Sequence, residues 1–144
     1  DWLKAAGHVQ AAALLEAAGG RPQEALAMVR DGVTPDLWPQ LPQLVRAGRA
    51  DSLAGWPVPR VVDALQKVCL DLMSRAMGTP PAFFAEAALP AGARIESLSI
   101  WWKRLQQAAR HEDHPWNAGL LTESLVLQGR ACWNPSTASA AHVR

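Results

Sequence analysis

Pro57-Val58-Pro59-Arg60-Val61-Val62-Asp63-Ala64-Leu65-Gln66-Lys67-Val68-Cys69-Leu70-Asp71-Leu72-Met73-Ser74-Arg75-Ala76-Met77 is the stretch that decides the fold. Its apolar residues Val58, Val61, Val62, Leu65, Val68, Cys69, Leu72 and Met73 recur at steps of three and four, the spacing of one continuous helical face. Arg60, Asp63, Lys67, Asp71 and Arg75 cover much of the opposite face. That pattern predicts a solvated side on which Asp71 and Arg75, four apart, form a carboxylate-to-cation pair. Gly78 then stops the helix.

Working outward, the flanking segments repeat the helical signal. Val9 to Ala18 is rich in Ala and Leu, with Gly19-Gly20 as its stop, and Pro22 to Arg30 reads as a second helix with Leu26 and Val29 on one side. Asp31-Gly32 ends it, and Val33-Thr34-Pro35-Asp36 reads as a linker. Pro39 and Pro42 delay a third helix within Leu37 to Ala47. After a loop holding Thr79-Pro80-Pro81 and Phe83-Phe84, a helix from about Arg94 to Arg110 is predicted to turn Leu98, Trp101, Trp102, Leu105 and Ala109 inward, although the two adjacent tryptophans cannot be equally central. Asn117 can cap the last helix, whose weaker stripe is Leu120, Leu121, Ser124, Leu125 and Gln128.

Strand signals are nearly absent: Tyr is missing, Phe and Ile each occur twice, and no segment alternates apolar with polar. The expectation is an all-α protein, a bundle of about five helices over residues 36–133 preceded by a short helical hairpin over 1–32 and followed by a flexible tail at 134–144.

Composition narrows the function classes. Of 144 residues, 49% are hydrophobic and 19% charged, which suits a globular chain with a real core. Fourteen Lys and Arg against 13 Asp and Glu leave no field to draw the chain onto a phosphate backbone. No apolar run approaches the roughly 20 residues that cross a bilayer, and no signal segment opens the chain, so a cytoplasmic location is expected. The start at Asp1, without Met and already amphipathic, reads as a cut from something longer.

Each candidate for chemistry has a stronger plain reading. His111-Glu112-Asp113-His114 could in principle ligate a divalent metal, but Pro115 denies the two histidines a shared rigid helical face. Ser97, Ser99 and Ser124 lack a glycine elbow, and neither Cys69 nor Cys132 has a nearby His; both cysteines sit in apolar patterns and read as buried small hydrophobes. Gly19-Gly20-Arg21-Pro22 precedes a helix, yet Pro22 removes a donor and no Walker-type lysine follows. No catalytic residue, metal or cofactor is expected. Of the seven tryptophans, Trp38, Trp56, Trp116 and Trp133 lie at loops or helix ends, where most should plug the core and any left exposed would mark a partner surface.

The run Ala12-Ala13-Leu14-Leu15-Glu16-Ala17-Ala18-Gly19-Gly20-Arg21-Pro22-Gln23-Glu24-Ala25-Leu26 resembles the lid-domain end of bacterial DNA polymerase III clamp-loader subunits of the delta-prime type. His114-Pro115-Trp116-Asn117-Ala118-Gly119-Leu120-Leu121-Thr122-Glu123-Ser124-Leu125 looks like the final collar helix of the same family. The resemblance implies that residues 1–32 end an AAA+ lid domain, that 36–133 form the collar, and that nucleotide-binding and zinc modules would precede Asp1. Aligned on Glu24-Ala25-Leu26, the family's nucleotide-sensing arginine is replaced by Gln23, which cannot supply a cationic fork to phosphate. That departure fits delta-prime, which does not hydrolyse ATP, better than the gamma/tau motor.

The implied function is a non-catalytic stator whose collar packs against gamma/tau and delta subunits so that the sliding clamp can be loaded onto primed DNA, with no direct nucleic-acid contact from this segment and no membrane partner. Trp56, Trp102, Trp116, Leu121 and Leu125 are the expected interface residues, and the exposed faces of the helices at 57–77, 94–110 and 117–131 are the expected surface. A reading from a different class is a small helical ligand-binding or regulatory module with a pocket lined by Trp101 or Trp102.

Overall fold

A computed structural model describes residues 2–111 and 117–133, with side chains from residue 7 onward. Among them are six α-helices and no strand: α1 (Trp2–Ala13), α2 (Pro22–Arg30), α3 (Leu41–Ala47), α4 (Val58–Ala76), α5 (Ile95–Arg110) and α6 (Ala118–Arg130). Short 3-10 turns at Trp38–Gln40, Ala50–Leu53, Glu86–Ala88 and Ala131–Trp133 fill the connections. The all-α expectation holds, and Pro39 and Pro42 do delay α3, with the 3-10 turn standing before it.

The α4 prediction is right within a residue at each end. Its apolar face supplies the middle of the core: Val61, Val62, Leu65, Val68, Cys69 and Leu72 are all buried. Against it stand Leu98, Trp101 and Leu105 of α5, Leu125 and Val126 of α6, and Leu41 and Val45 of α3. Each fully buried Leu or Val contributes about 1.5–3 kcal/mol, so this face dominates the stability of the bundle. The tail at 134–144 lies outside the described residues.

Two local expectations, on the first helix and on α6, are corrected, and two, on α2 and α5, are refined, with Trp101 and Trp102 unequally central as expected. The first helix lies over Trp2–Ala13, and Leu14 to Ala18 continues it only as turns, closed by Gly20 N–H donating to the Leu15 carbonyl at 2.8 Å. In α2 the buried residues are Ala25 and Met28, while Leu26 and Val29 flank them half-buried, because α1 packs over the narrow Ala25 side. In α5 the buried set is Leu98, Trp101, Leu105 and Ala108; Trp102 and Ala109 sit half-buried one step round. In α6 the buried set is Thr122, Leu125, Val126 and Gly129, so Leu120 and Ser124 face out. The small residues Thr122 and Gly129 let α6 approach closely, and that fixes its rotation.

The largest correction concerns the polar side of α4. Arg60, Lys67 and Asp71 are buried, and Asp63 is half-buried. Asp71 does not pair with Arg75. Its carboxylate accepts three backbone N–H groups, from Ala82 at 2.9 Å and from Phe83 and Phe84 at 2.8 Å each, and Arg75 instead reaches Glu86 at 3.3 Å. The 79–84 loop needs those donors satisfied as it crosses α4. Trp38 then stacks on Phe84 with ring centroids 4.6 Å apart and planes 5° from parallel, its indole N–H donating to the Phe83 carbonyl at 3.1 Å.

Candidate functional site

The carboxyl-terminal helix carries the surface of interest, and its inner face fixes what the outer face can do. Asn117 caps α6 by accepting the Leu120 N–H at 3.1 Å, as the sequence predicts. Three turns on, Gly129 meets α5 and α3 so closely that a Cβ built there would lie 2.5 Å from Trp101 Cζ2 and 2.8 Å from Val45 Cγ1. The Trp101 indole N–H donates to the Leu125 carbonyl at 2.9 Å, binding the ring to the same helix turn. Trp101 thus fills the space at this crossing, and at 1% exposure it lines none.

With that side locked, Leu120 and Leu127 point away from the core, 65% and 43% exposed. They are seven residues apart, two helical turns, and so lie on one stripe. Glu123, Ser124, Gln128 and Ala131 complete a shallow depression around them. Leu127 also edges a deeper cleft of about 600 Å³ between α6 and the 48–56 segment, where Leu53, Trp56, Gly119 and Thr122 form walls. Asp51 and Glu123 are the charged residues of that cleft.

The expected interface residues divide. Leu125 is 3% exposed and belongs to the core, and Trp56 is 7% exposed beneath Gly32, where an added Cβ would meet its Cδ1 at 3.3 Å. Leu121 and Trp102 are half-buried. Trp116 lies outside the described residues, as do Glu112, Asp113 and His114 of the metal-like cluster; His111 ends α5. Gln23 stands exposed on the first turn of α2. Leu127 went unnoticed in the sequence. α6 is apolar on both sides, so periodicity gave no unique phase, and the close approach at Thr122 and Gly129 sets it.

A second polar constellation clusters on the buried polar side of α4. Arg60 Nη1 meets Glu24 at 2.6 Å and Asp63 at 3.1 Å, and its Nε meets Asp31 at 2.9 Å. Asp63 is shared with Lys67 at 3.1 Å, and the Lys67 ammonium sits over the rings of Phe83 and Trp38 at 5.3 and 5.8 Å. Burial alone would lower the Arg60 pKa, but the hydrogen bonds it donates to Glu24 and Asp31 and the charges of Glu24 and Asp63 outweigh it and raise it. These side chains are committed to one another and to the fold.

Both cysteines are buried, as expected. Cys69 donates to the Leu98 carbonyl at 3.4 Å, and burial pushes each thiol up to about 12, so both stay protonated at neutral pH. Compared with protein-family models, with curated proteins and with solved structures, the chain matches none.

Proposed function

We propose that this chain is a helical assembly module of clamp-loader collar type, the lid end and collar of a delta-prime-like stator of bacterial DNA polymerase III. In this reading it joins gamma/tau and delta subunits through apolar burial, and nucleotide hydrolysis belongs to its neighbours. The sequence support is the resemblance of residues 12–26 and 114–125 and the Gln23 departure. The structural observation that carries the reading is the outward stripe of Leu120 and Leu127 on a helix whose other face is locked by Trp101 and Gly129.

A stable protein interface covers roughly 800 Å² per partner, more than one helix stripe supplies. Leu70 on α4 and Ile95 and Ile100 on α5 are further exposed apolar residues that a neighbour can use. The α6 pair forms the centre of the proposed surface, where anchors contribute most.

Mixing the purified chain with gamma and delta subunits and following co-elution tests the proposal. The expected result is a ternary complex that Leu120→Asp with Leu127→Asp abolishes while helical content is unchanged. Failure of the unaltered chain to co-elute in any combination sinks the proposal.

A further inference from the structure

We infer that the α1–α2 hairpin is a latched arm, held against the bundle by the Arg60 guanidinium and able to swing about Gly32 when that cation is removed. The inference rests on side-chain geometry alone and stands whether or not the chain is a clamp-loader subunit.

The hairpin is a packed unit. α1 and α2 make their closest backbone packing with each other, and Leu14, Ala18, Ala25 and Met28 are buried within the hairpin region. Beyond the apolar core it shares with the bundle, its ties are made by reaching side chains. Arg60 of α4 grips α2 at both ends, through Glu24 in its first turn and Asp31 at its carboxyl cap. Trp56 lies against Gly32, and Phe83 lies against Gly19, where an added Cβ would be 3.7 Å from the ring.

The connection has a built-in pivot. Val33 N–H donates back to the Met28 carbonyl at 3.0 Å across Gly32, whose φ of +105° is open to glycine and strained for other residues. Thr34 and Asp36 beyond it are exposed.

Charge supplies the force. Three carboxylates, Glu24, Asp31 and Asp63, converge on one guanidinium that is 8% exposed. The neighbouring cation, Lys67, reaches Asp63 and neither of the hairpin carboxylates. Removing the Arg60 charge therefore strips the joint of its attraction, leaving Glu24 and Asp31 on the arm with no cation partner while Lys67 still holds Asp63. The apolar core, which Ala11, Leu14, Ala18, Ala25 and Met28 of the hairpin share with α3 to α6, has no part in that pairing.

Spin labels placed at Gln23→Cys on α2 and Gln107→Cys on α5, both exposed, measure the arm's position; the buried native thiols stay unlabelled. The unaltered latch should give a single narrow distance. Arg60→Met keeps the apolar stem and should add a second, longer distance, widening the distribution roughly twofold, with the circular dichroism of the helices retained. Glu24→Gln with Asp31→Asn leaves Arg60 paired to Asp63 and should broaden it in the same direction by less. A distribution that stays narrow in both variants overturns the latch. If Arg60→Met does not fold, the double variant decides alone: broadening supports the latch, and a narrow single distance refutes it.

Discussion

The crossing of α5 with α6 and the joint between α4 and the α1–α2 hairpin close by opposite means. At the first, Trp101 enters a space that exists because position 129 has no side chain, and one indole hydrogen bond fixes the fit. At the second, a guanidinium and an ammonium sit among three carboxylates, those of residues 24, 31 and 63, with aromatic rings above the ammonium. A joint closed by shape is sensitive to volume and indifferent to salt. One closed by charge tolerates small changes of volume and fails when a partner is deleted.

The largest expected effect is on the shape side. Trp101→Ala removes the ring and leaves a cavity, so a loss of about 3–5 kcal/mol is expected in urea unfolding. A loss below about 1 kcal/mol would show that α6 repacks freely, and the contrast would collapse. Next comes Asp71→Ala, on the polar side of α4 next to the charge joint. It strands the N–H groups of Ala82, Phe83 and Phe84 and should cost about 2–3 kcal/mol. Asp71→Asn, which keeps one acceptor oxygen, should fall between, and equality of the two variants would remove the hydrogen bonds from the account.

The thiols give the shape joint a pH signature of its own. Burial raises Cys69 and Cys132 from 9.0 to about 12, so folding favours the protonated form. Their contribution is complete below pH 9 and is lost as pH rises through that window toward 12. At pH 10 the loss should be about 1 kcal/mol for each thiol. Cys69→Ala with Cys132→Ala should flatten the alkaline limb of a stability-against-pH curve, and an unchanged limb would assign it to other groups.

Gly129→Ala sharpens the comparison because it sets two effects against each other. Alanine favours a helix over glycine by about 1 kcal/mol, whereas the new methyl must displace Trp101 and Val45, which typically costs 1–3 kcal/mol. The clash should win by about 1–2 kcal/mol, since both neighbours are core side chains under 3.0 Å away. Gly119→Ala, whose Cβ would meet Asn117 Oδ1 at 3.5 Å, should be neutral or stabilising. Calorimetric melting of the two variants separates the clash from the propensity.

The same contrast explains what could be read from the sequence. The apolar face of α4 was legible because its signal is local, a period repeated over nineteen residues. The role of Arg60 was not, because its partners Glu24 and Asp31 are 36 and 29 positions away, and its local pair with Asp63 reads by itself as a solvated surface pair. Asp71 was assigned to Arg75 by spacing, whereas the loop it caps has no charge to announce it. Nothing in the sequence around Gly129 marks it, because its role is set by Trp101 packed against it. The cap at Asn117 was legible and the phase of α6 was not, since a helix apolar on two sides offers two stripes to choose from.

That ambiguity leads to the smallest effect on stability. Leu125 and Leu127 lie two residues apart on α6, one buried and one 43% exposed. Leu125→Ala should destabilise the chain by about 2–5 kcal/mol. Leu120→Asp with Leu127→Asp should change stability by no more than about 0.5 kcal/mol at each site, because no core contact is removed. In the proposed assembly the ranking reverses. A leucine buried between chains contributes about 1.5–3 kcal/mol, so the two aspartates should weaken association by about a hundredfold or more. Measuring urea unfolding and complex formation on the same samples gives both rankings. An outer-face double variant that melts early would place those leucines in the fold, and one that binds as tightly as the unaltered chain would move the interface elsewhere.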